Sequence, residues 1–237
     1  MLVSSEGILL HQIKYSDHQT IVRAYTRQFG MMSLLVPSGR GRSKPRNFFQ
    51  TMLPVELQFQ MRENRSLCRL HEMHVLNANA HIAASPAKTA QLLFLSELII
   101  KSVREHEKNE ALFAFIFQSV QLLEEWGSDL PDFHLKFAID LSRFLGFYPV
   151  QNFNRQNTWF SCKEGAFQAI KDDSVLDQDI SKALALLMDT EYHELNTLPW
   201  SARIRRSLIQ AILHYYQWHL PSVRDLKTPA VLEEVFR

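Results

Sequence analysis

The alternation of Val55, Leu57, Phe59 and Met61 with Glu56, Gln58, Gln60 and Arg62 constrains the fold more than any other feature of the chain. Side chains on an extended strand point alternately to opposite faces, so this segment presents one apolar face to a core and one polar face to water. A lone strand of this kind is not stable, and the flanking sequence supplies neighbours. Further strands are expected at Ser5 to Lys14, Gln19 to Gln28, Met31 to Val36 and Ser66 to Val75, with turn signals at Phe29-Gly30 and Glu63-Asn64.

Five short strands within residues 1–80 predict a small barrel, and their order fits an OB-fold, a partly open barrel whose surface is a frequent platform for single strands. After His81 the pattern becomes helical. Ser85-Pro86 is a start signal, a hydroxyl cap followed by a ring already set at a helical angle, and it opens a helix over Ala87 to Val103. Leu112 to Trp126, Phe133 to Phe147 and Trp200 to Leu220 are equally apolar and predict a bundle packed around central helices. The fold class is therefore α+β, with a barrel domain at 1–80 and a helical bundle at 81–237. An insertion at about 150–178 interrupts the helices, and Trp159-Phe160 and Phe167 would make a short hairpin in it, turning at Glu164-Gly165.

Charge follows the same division. The formal net charge is only +1, yet residues 1–80 hold ten Lys/Arg against five Asp/Glu, and the remainder 16 against 20. No acid occurs from His18 to Val55, where Arg23, Arg27, Arg40, Arg42, Lys44 and Arg46 are found. Self-repulsion of this kind points to an anionic partner, most often a nucleic acid or an anionic membrane.

Three groups of cations are candidates for that partner. In "PSGRGRSKPR" the residues Arg40, Arg42, Lys44 and Arg46 alternate along a stretch whose glycines and prolines exclude regular structure, which suits phosphate contacts; the alternative is a solvated hairpin tip. In "TIVRAYTRQF" period two sets Ile21, Arg23, Tyr25, Arg27 and Phe29 on one face, a ring between two guanidinium groups, as base stacking with phosphate pairing requires. The alternative is that Tyr25 and Phe29 are core and the arginines reach outward. In "ARIRRSL" Arg203, Arg205 and Arg206 occupy the first turns of a helix, where they oppose its dipole; a partner or DNA contact and ion pairing to the acidic insertion are both open explanations.

No active site emerges. The glycine pair at 39 and 41 lacks the Gly-Lys-Ser/Thr ending of a phosphate loop, and "HEMH" at 71–74 is one residue short of the HExxH zinc motif. His214 and His219 are badly spaced for a shared metal, and the Glu124-Glu125 and Asp172-Asp173 pairs have no base or nucleophile at recognisable spacing. Two cysteines, Cys68 and Cys162, give neither a disulfide framework nor a four-cysteine metal site. The longest apolar run, Ala111 to Phe117, is far shorter than the roughly 20 residues of a spanning helix, and the N-terminus lacks signal-peptide order, so a cytoplasmic protein without a membrane partner is expected.

The order of "EGILLHQIKYSDHQTIVRAYTRQFGMMSLLVPSGRG", "LPVELQF" and "LHEMHVL", followed by "AQLLFLSELI", "LFAFIFQSVQLLE", "FHLKFAIDLSRFLGFYP" and "RSLIQAILHYYQWHLPSVRDLKT", resembles the RecO family of bacterial recombination mediators over nearly the whole chain. Its more specific elements are Thr26 to Gly30, the basic loop Gly39 to Arg46, and Leu145-Gly146-Phe147 with Pro149. The resemblance implies a non-enzymatic protein that binds single-stranded DNA, with duplex DNA a further candidate, and that anneals complementary strands. It implies help in loading RecA onto DNA covered by single-strand-binding protein, in partnership with RecR, at the bacterial nucleoid during repair. It also implies a contact between the helical domain and the C-terminal tail of single-strand-binding protein, for which Arg203, Arg205 and Arg206 are candidates. Many members of that family carry a four-cysteine zinc module after the Gly-Phe-x-Pro element; here residues 152–168 hold only Cys162, so no metal or other cofactor is expected there and Phe153, Trp159, Phe160 and Phe167 would hold the insertion. Two other readings stay open: an RNA-binding protein of the same barrel type, and a non-catalytic adaptor acting through its helices.

Overall fold

In the computed structural model, which describes residues 1–17, 19–37, 50–61, 67–103, 107–171 and 174–235, the strand of alternating residues is β4 (Leu53–Gln60). It joins β1 (Leu2–Ser16), β2 (Gln19–Thr26), β3 (Gly30–Pro37) and β5 (Leu67–Val75) in a closed barrel of order β1–β2–β3–β5–β4. All neighbours are antiparallel except β3 and β5, and β4 closes the ring by pairing with β1. The inward set, including Leu9, Val22, Ala24, Leu34, Val55, Leu57, Phe59 and Cys68, is buried as one core. The α+β class and the small barrel preceding the helices match the sequence reading.

The chain forms two compact units, residues 1–85 with 103–125, and residues 86–102 with 126–237. In the first, the barrel carries α1 (Ala80–Ala84) and α3 (Glu110–Glu125), the latter drawn from beyond the composition boundary near residue 80. The reason is a set of residues on the outside of the barrel that need cover. Ile8, Tyr25 and Met31 share one cross-strand row, face away from the barrel core and are nonetheless buried. The Tyr25 ring stacks on Phe113 of α3, with centroids 6.5 Å apart, and its hydroxyl donates to the Asn109 carbonyl at 3.4 Å. The buried Glu124 carboxylate accepts the backbone N–H groups of His81 and Ile82 at 2.9 Å each, closing the N-terminus of α1. At the β2–β3 turn, Thr26 Oγ1 accepts from the Phe29 N–H and donates to the Gly30 carbonyl. Gly30 has φ of +65°, and a Cβ there would lie 2.5 Å from the Glu107 carbonyl oxygen, which explains why this turn ends in glycine.

The second unit is built on α2 (Pro86–Ser102), α4 (Phe133–Phe144), α5 (Gln178–Asp189), α6 (Ala202–His219) and α7 (Pro229–Val235), with 3-10 turns at Tyr192–Thr197 and Pro221–Asp225. Helices α2 and α4 are buried around most of their circumference and form its centre. The expected helix ends shift slightly. Helix α4 stops at Phe144, before Gly146 at φ +85°, and α6 starts after Ser201, whose Oγ accepts from the Ile204 N–H at 3.4 Å. Helices α1, α5 and α7 were not expected.

The expected hairpin is present as β6 (Trp159–Ser161) and β7 (Ala166–Gln168). Phe160 and Phe167 are buried, 5.0 Å apart, and Phe160 meets Tyr215 of α6 at 5.4 Å. Phe153 edges Phe167 from the rim and Trp159 lies under the Lys171 ammonium. Asn152 exchanges two 2.9 Å hydrogen bonds with the Phe167 backbone. The turn needs Gly165, at φ +65° with the Tyr215 hydroxyl 3.0 Å from where a Cβ would stand.

Candidate nucleic-acid interface

The cross-strand registers divide the outer wall of the barrel into three parts. The first is the row under α3. The second spans the first half of β1 with β4 and β5, where Glu6 pairs with Glu56 and Gln58 with Glu72. The third spans the rest of β1 with β2, β3 and the start of β5: His11, Arg23, Ser33 and Leu67 make one row, and Ile13, Ile21, Leu35 and Arg69 the next. Both rows point outward, since the intervening Val22, Leu34 and Cys68 fill the core. Strands β2 and β3 carry no acid, while β1 and β5 each carry a cation on the third part and an acid on the second.

Each expected contact has its own outcome. Arg40, Arg42, Lys44 and Arg46 lie outside the described residues. Arg23 is half-buried on the third part of the wall. Arg27 lies beyond the end of β2, its Nε 2.6 Å from Glu6 Oε2 and its guanidinium 4.9 Å over the Phe113 ring. Tyr25 is 0% exposed, so its ring offers no face to a base; α3 has taken the stacking position. Phe29 packs against the barrel core, edge-on to Phe59 at 5.5 Å. Of the five residues expected on one face, Ile21, Arg23 and Tyr25 share the outward side of β2, whereas Arg27 and Phe29 lie past its end, where the strand period no longer applies, and the helix over Tyr25 lies more than 80 residues away in the chain and left no local sign.

In the helical unit the three arginines separate. Arg205 turns inward, and its Nε and Nη2 donate to the two oxygens of the fully buried Asp132 at 2.7 and 3.3 Å. Burial holds the Asp132 carboxyl above its usual range, with the guanidinium opposing that shift. Beside it His134 is fully buried and pushed down to about 3, by desolvation first and the Arg205 charge second. Arg205 is therefore an internal counter-ion, and its acid is Asp132 at the start of α4 rather than one in the insertion at about 150–178. Arg203 and Arg206 are exposed and border a groove of about 630 Å³ between α5 and α6, whose walls include Leu176, Ile180 and Ala211 along with Asp177, Gln210 and His214. The groove depends on α5, whose Ile180, Leu184, Leu187 and Met188 have helical spacing that could have revealed it.

Glu124, Asp140 and the buried Lys88 and Lys136 all serve structure. Lys88 Nζ donates to the Trp126 carbonyl at 2.6 Å, and Lys136 Nζ to the Met188 carbonyl at 3.2 Å, 3.5 Å from Asp140. Cys162 is buried, its thiol pushed up to about 12 by desolvation, which makes it a poor nucleophile or ligand. Among the described residues no group of three or more His, Cys, Asp or Glu could hold a metal ion, and no helix is long and apolar enough to cross a membrane.

A closed five-stranded barrel of this order, followed by a helical region, defines a protein of the OB-fold type with an appended bundle. Sequence comparison narrows the class. Residues 1–79 match the family model described as Recombination protein O N terminal, and residues 84–228 the one described as Recombination protein O C terminal. The DNA repair protein RecO of Bacteroides fragilis is 32% identical over 241 residues and that of Azobacteroides pseudotrichonymphae 30% over 240, each alignment spanning 100% of both chains. The same-named protein of Porphyromonas gingivalis is 26% identical over 244 residues, again across both full lengths. The chain belongs to the RecO family of DNA repair proteins.

Proposed function

We propose that this protein is a recombination mediator that binds single-stranded DNA, anneals complementary strands and, with RecR, assists loading of RecA onto DNA covered by single-strand-binding protein. The observation that carries the reading is the acid-free run of residues 18–55, which supplies β2 and β3 to an OB-type barrel in a RecO-family chain. No bond is made or broken. Cations on and around the barrel screen the repulsion between two phosphate backbones, raising the rate at which strands meet and holding them without register until base pairing takes over. RecR binds the barrel unit, and the work is done in the bacterial cytoplasm at the nucleoid.

The groove at Arg203 and Arg206 supports a second contact. A peptide with acidic residues and an apolar end, as in the C-terminal tail of single-strand-binding protein, suits apolar walls edged by two exposed guanidinium groups.

The test is anisotropy of a labelled single-stranded oligonucleotide titrated with the protein at several salt concentrations, with equal-length RNA as competitor. If about six phosphates are neutralised, log affinity falls against log salt with a slope of roughly −4. Alanine at Arg40, Arg42, Lys44 and Arg46 together should flatten that slope. Absence of DNA binding at low salt overturns the reading, and tighter binding of RNA redirects it.

A further inference from the structure

The groove between α5 and α6 continues into a histidine–tryptophan pair. On α6 it is lined by Arg203, Arg206, Gln210, Ala211 and His214 at helical spacing, and Trp218 is the next residue on that stripe. From Arg203 to His214 the helix rises about 16 Å, the reach of about five residues of extended peptide. His214 is exposed, and Trp218 is 49% exposed. The two are bonded to each other. The indole Nε1–H donates to His214 Nε2 at 3.1 Å, with the rings edge-on at 84° and their centroids 6.2 Å apart. An indole nitrogen only donates, so this bond requires a bare Nε2 and places the imidazole proton on Nδ1. A second proton, taken at Nε2, turns the acceptor into a donor and ends the bond.

We propose that binding of an acidic peptide in this groove draws one proton from solvent onto His214 Nε2, which breaks the bond to Trp218 and gives the peptide a third cation and a freed indole. The inference rests on the peptide-docking reading above and adds a proton to it. Charge drives the step. The groups that line the groove with His214 are Asp177 from the N-terminus of α5 and Arg203 and Arg206 from its own helix, with Gln210 and Trp218 neutral one turn to either side. In the empty groove two guanidinium groups oppose a further positive charge, and Asp177 is the single carboxylate lining it among the described residues. An acidic peptide neutralises the guanidinium groups and brings carboxylates of its own, so the imidazolium is favoured more strongly in the complex than outside it. One N–H···N bond is exchanged for one N–H···O bond to the peptide, and the proton is supplied by the buffer. Histidine suits this step because its charge ordinarily changes between about pH 5 and 8. His219, on the same helix, does not share it: its ring lies flat against Phe147 and its Nε2 is 3.2 Å from the Cys162 carbonyl oxygen. The freed indole adds a broad apolar surface for the apolar end of the peptide.

The experiment titrates the full-length protein, His214→Gln and Trp218→Phe with a synthetic peptide of five acidic residues followed by three leucines, from about pH 8 to about pH 6. Calorimetry near neutral pH in two buffers of different ionisation enthalpy then counts the protons taken up. Both positions are exposed, so the variants should melt with the parent. In the parent, affinity should rise by roughly 5- to 30-fold as pH falls across that range, below the limit of about tenfold per pH unit set by one proton. Glutamine cannot be protonated, so in His214→Gln both the rise and the proton uptake should vanish. Trp218→Phe should keep the rise and lose the change in tryptophan emission that accompanies peptide binding in the parent. If the parent binds the peptide equally at every pH, or His214→Gln takes up a proton as the parent does, the coupling is wrong and the docking reading survives. A parent that binds no peptide at any pH overturns both. An emission change that persists in Trp218→Phe shows that the indole is not what His214 releases, and overturns the exchange of bonds.

Discussion

The guanidinium of Arg205 and the carboxylate of Asp132 form a two-pronged ion pair, Nε to Oδ1 at 2.7 Å and Nη2 to Oδ2 at 3.3 Å, with the acid fully buried. The pair ties the first turn of α6 to the start of α4. Its value lies less in net stabilisation than in the cost of breaking it, because a buried charge left alone cannot be solvated.

Arg205→Ala should therefore destabilise the helical unit by about 3–5 kcal/mol, read as a lower midpoint in urea. Arg205→Lys should recover only part of this, since one ammonium cannot reproduce the fork. DNA affinity at a temperature where the variant is folded should match the parent.

Tyr25 separates packing from binding. Tyr25→Ala should cost about 3–5 kcal/mol through the cavity left beneath Phe113. Tyr25→Phe loses only a long hydrogen bond to Asn109 and should cost under about 1 kcal/mol. If Tyr25→Phe leaves the melting temperature and DNA affinity near those of the parent while Tyr25→Ala unfolds readily, the ring is core.

Glu97 controls the attachment of α7. Burial works against its charge, but the Thr228 hydroxyl, the Thr228 and Lys227 amides and the Lys101 ammonium outweigh it and hold the carboxyl below its ordinary value of 4.5. A folded-state pKa below the unfolded one means that the stabilisation is fully present above about pH 4.5 and is lost as pH falls through the lower folded value. Acid proteolysis should release the C-terminal residues before the rest of the unit opens. In Glu97→Gln that release should occur at neutral pH too, without the acid step.

Charge reversal at Arg203 and Arg206 together should weaken binding of an acidic peptide with an apolar C-terminus by roughly tenfold at low salt, and the difference should shrink as salt is added. Both side chains are exposed, so melting should not change. Equal binding by parent and variant would remove the groove as the docking place.

The strands, the four long helices and the hairpin at 159–168 were readable because each depends on residues within a few positions of one another: alternation in Val55 to Phe59, continuous apolarity in α2 and α4, aromatic pairs about a glycine turn. The charge division was readable because composition is local too. Helices α1 and α7 were not, for each is short and closed by a carboxylate from far along the chain, Glu124 from 42 residues away and Glu97 from 131.

The functional residues divide in the same way. By itself the sequence determined that a basic, acid-free stretch would form part of a small barrel, and that Arg23 and Tyr25 would share a face of it. Tertiary structure decided which members of that face meet solvent. Alternation specifies the side of a strand on which a residue lies, and burial on that side depends on what is brought against it from elsewhere. Helix α3 supplies Phe113 over Tyr25, and Asp132 takes Arg205 inward.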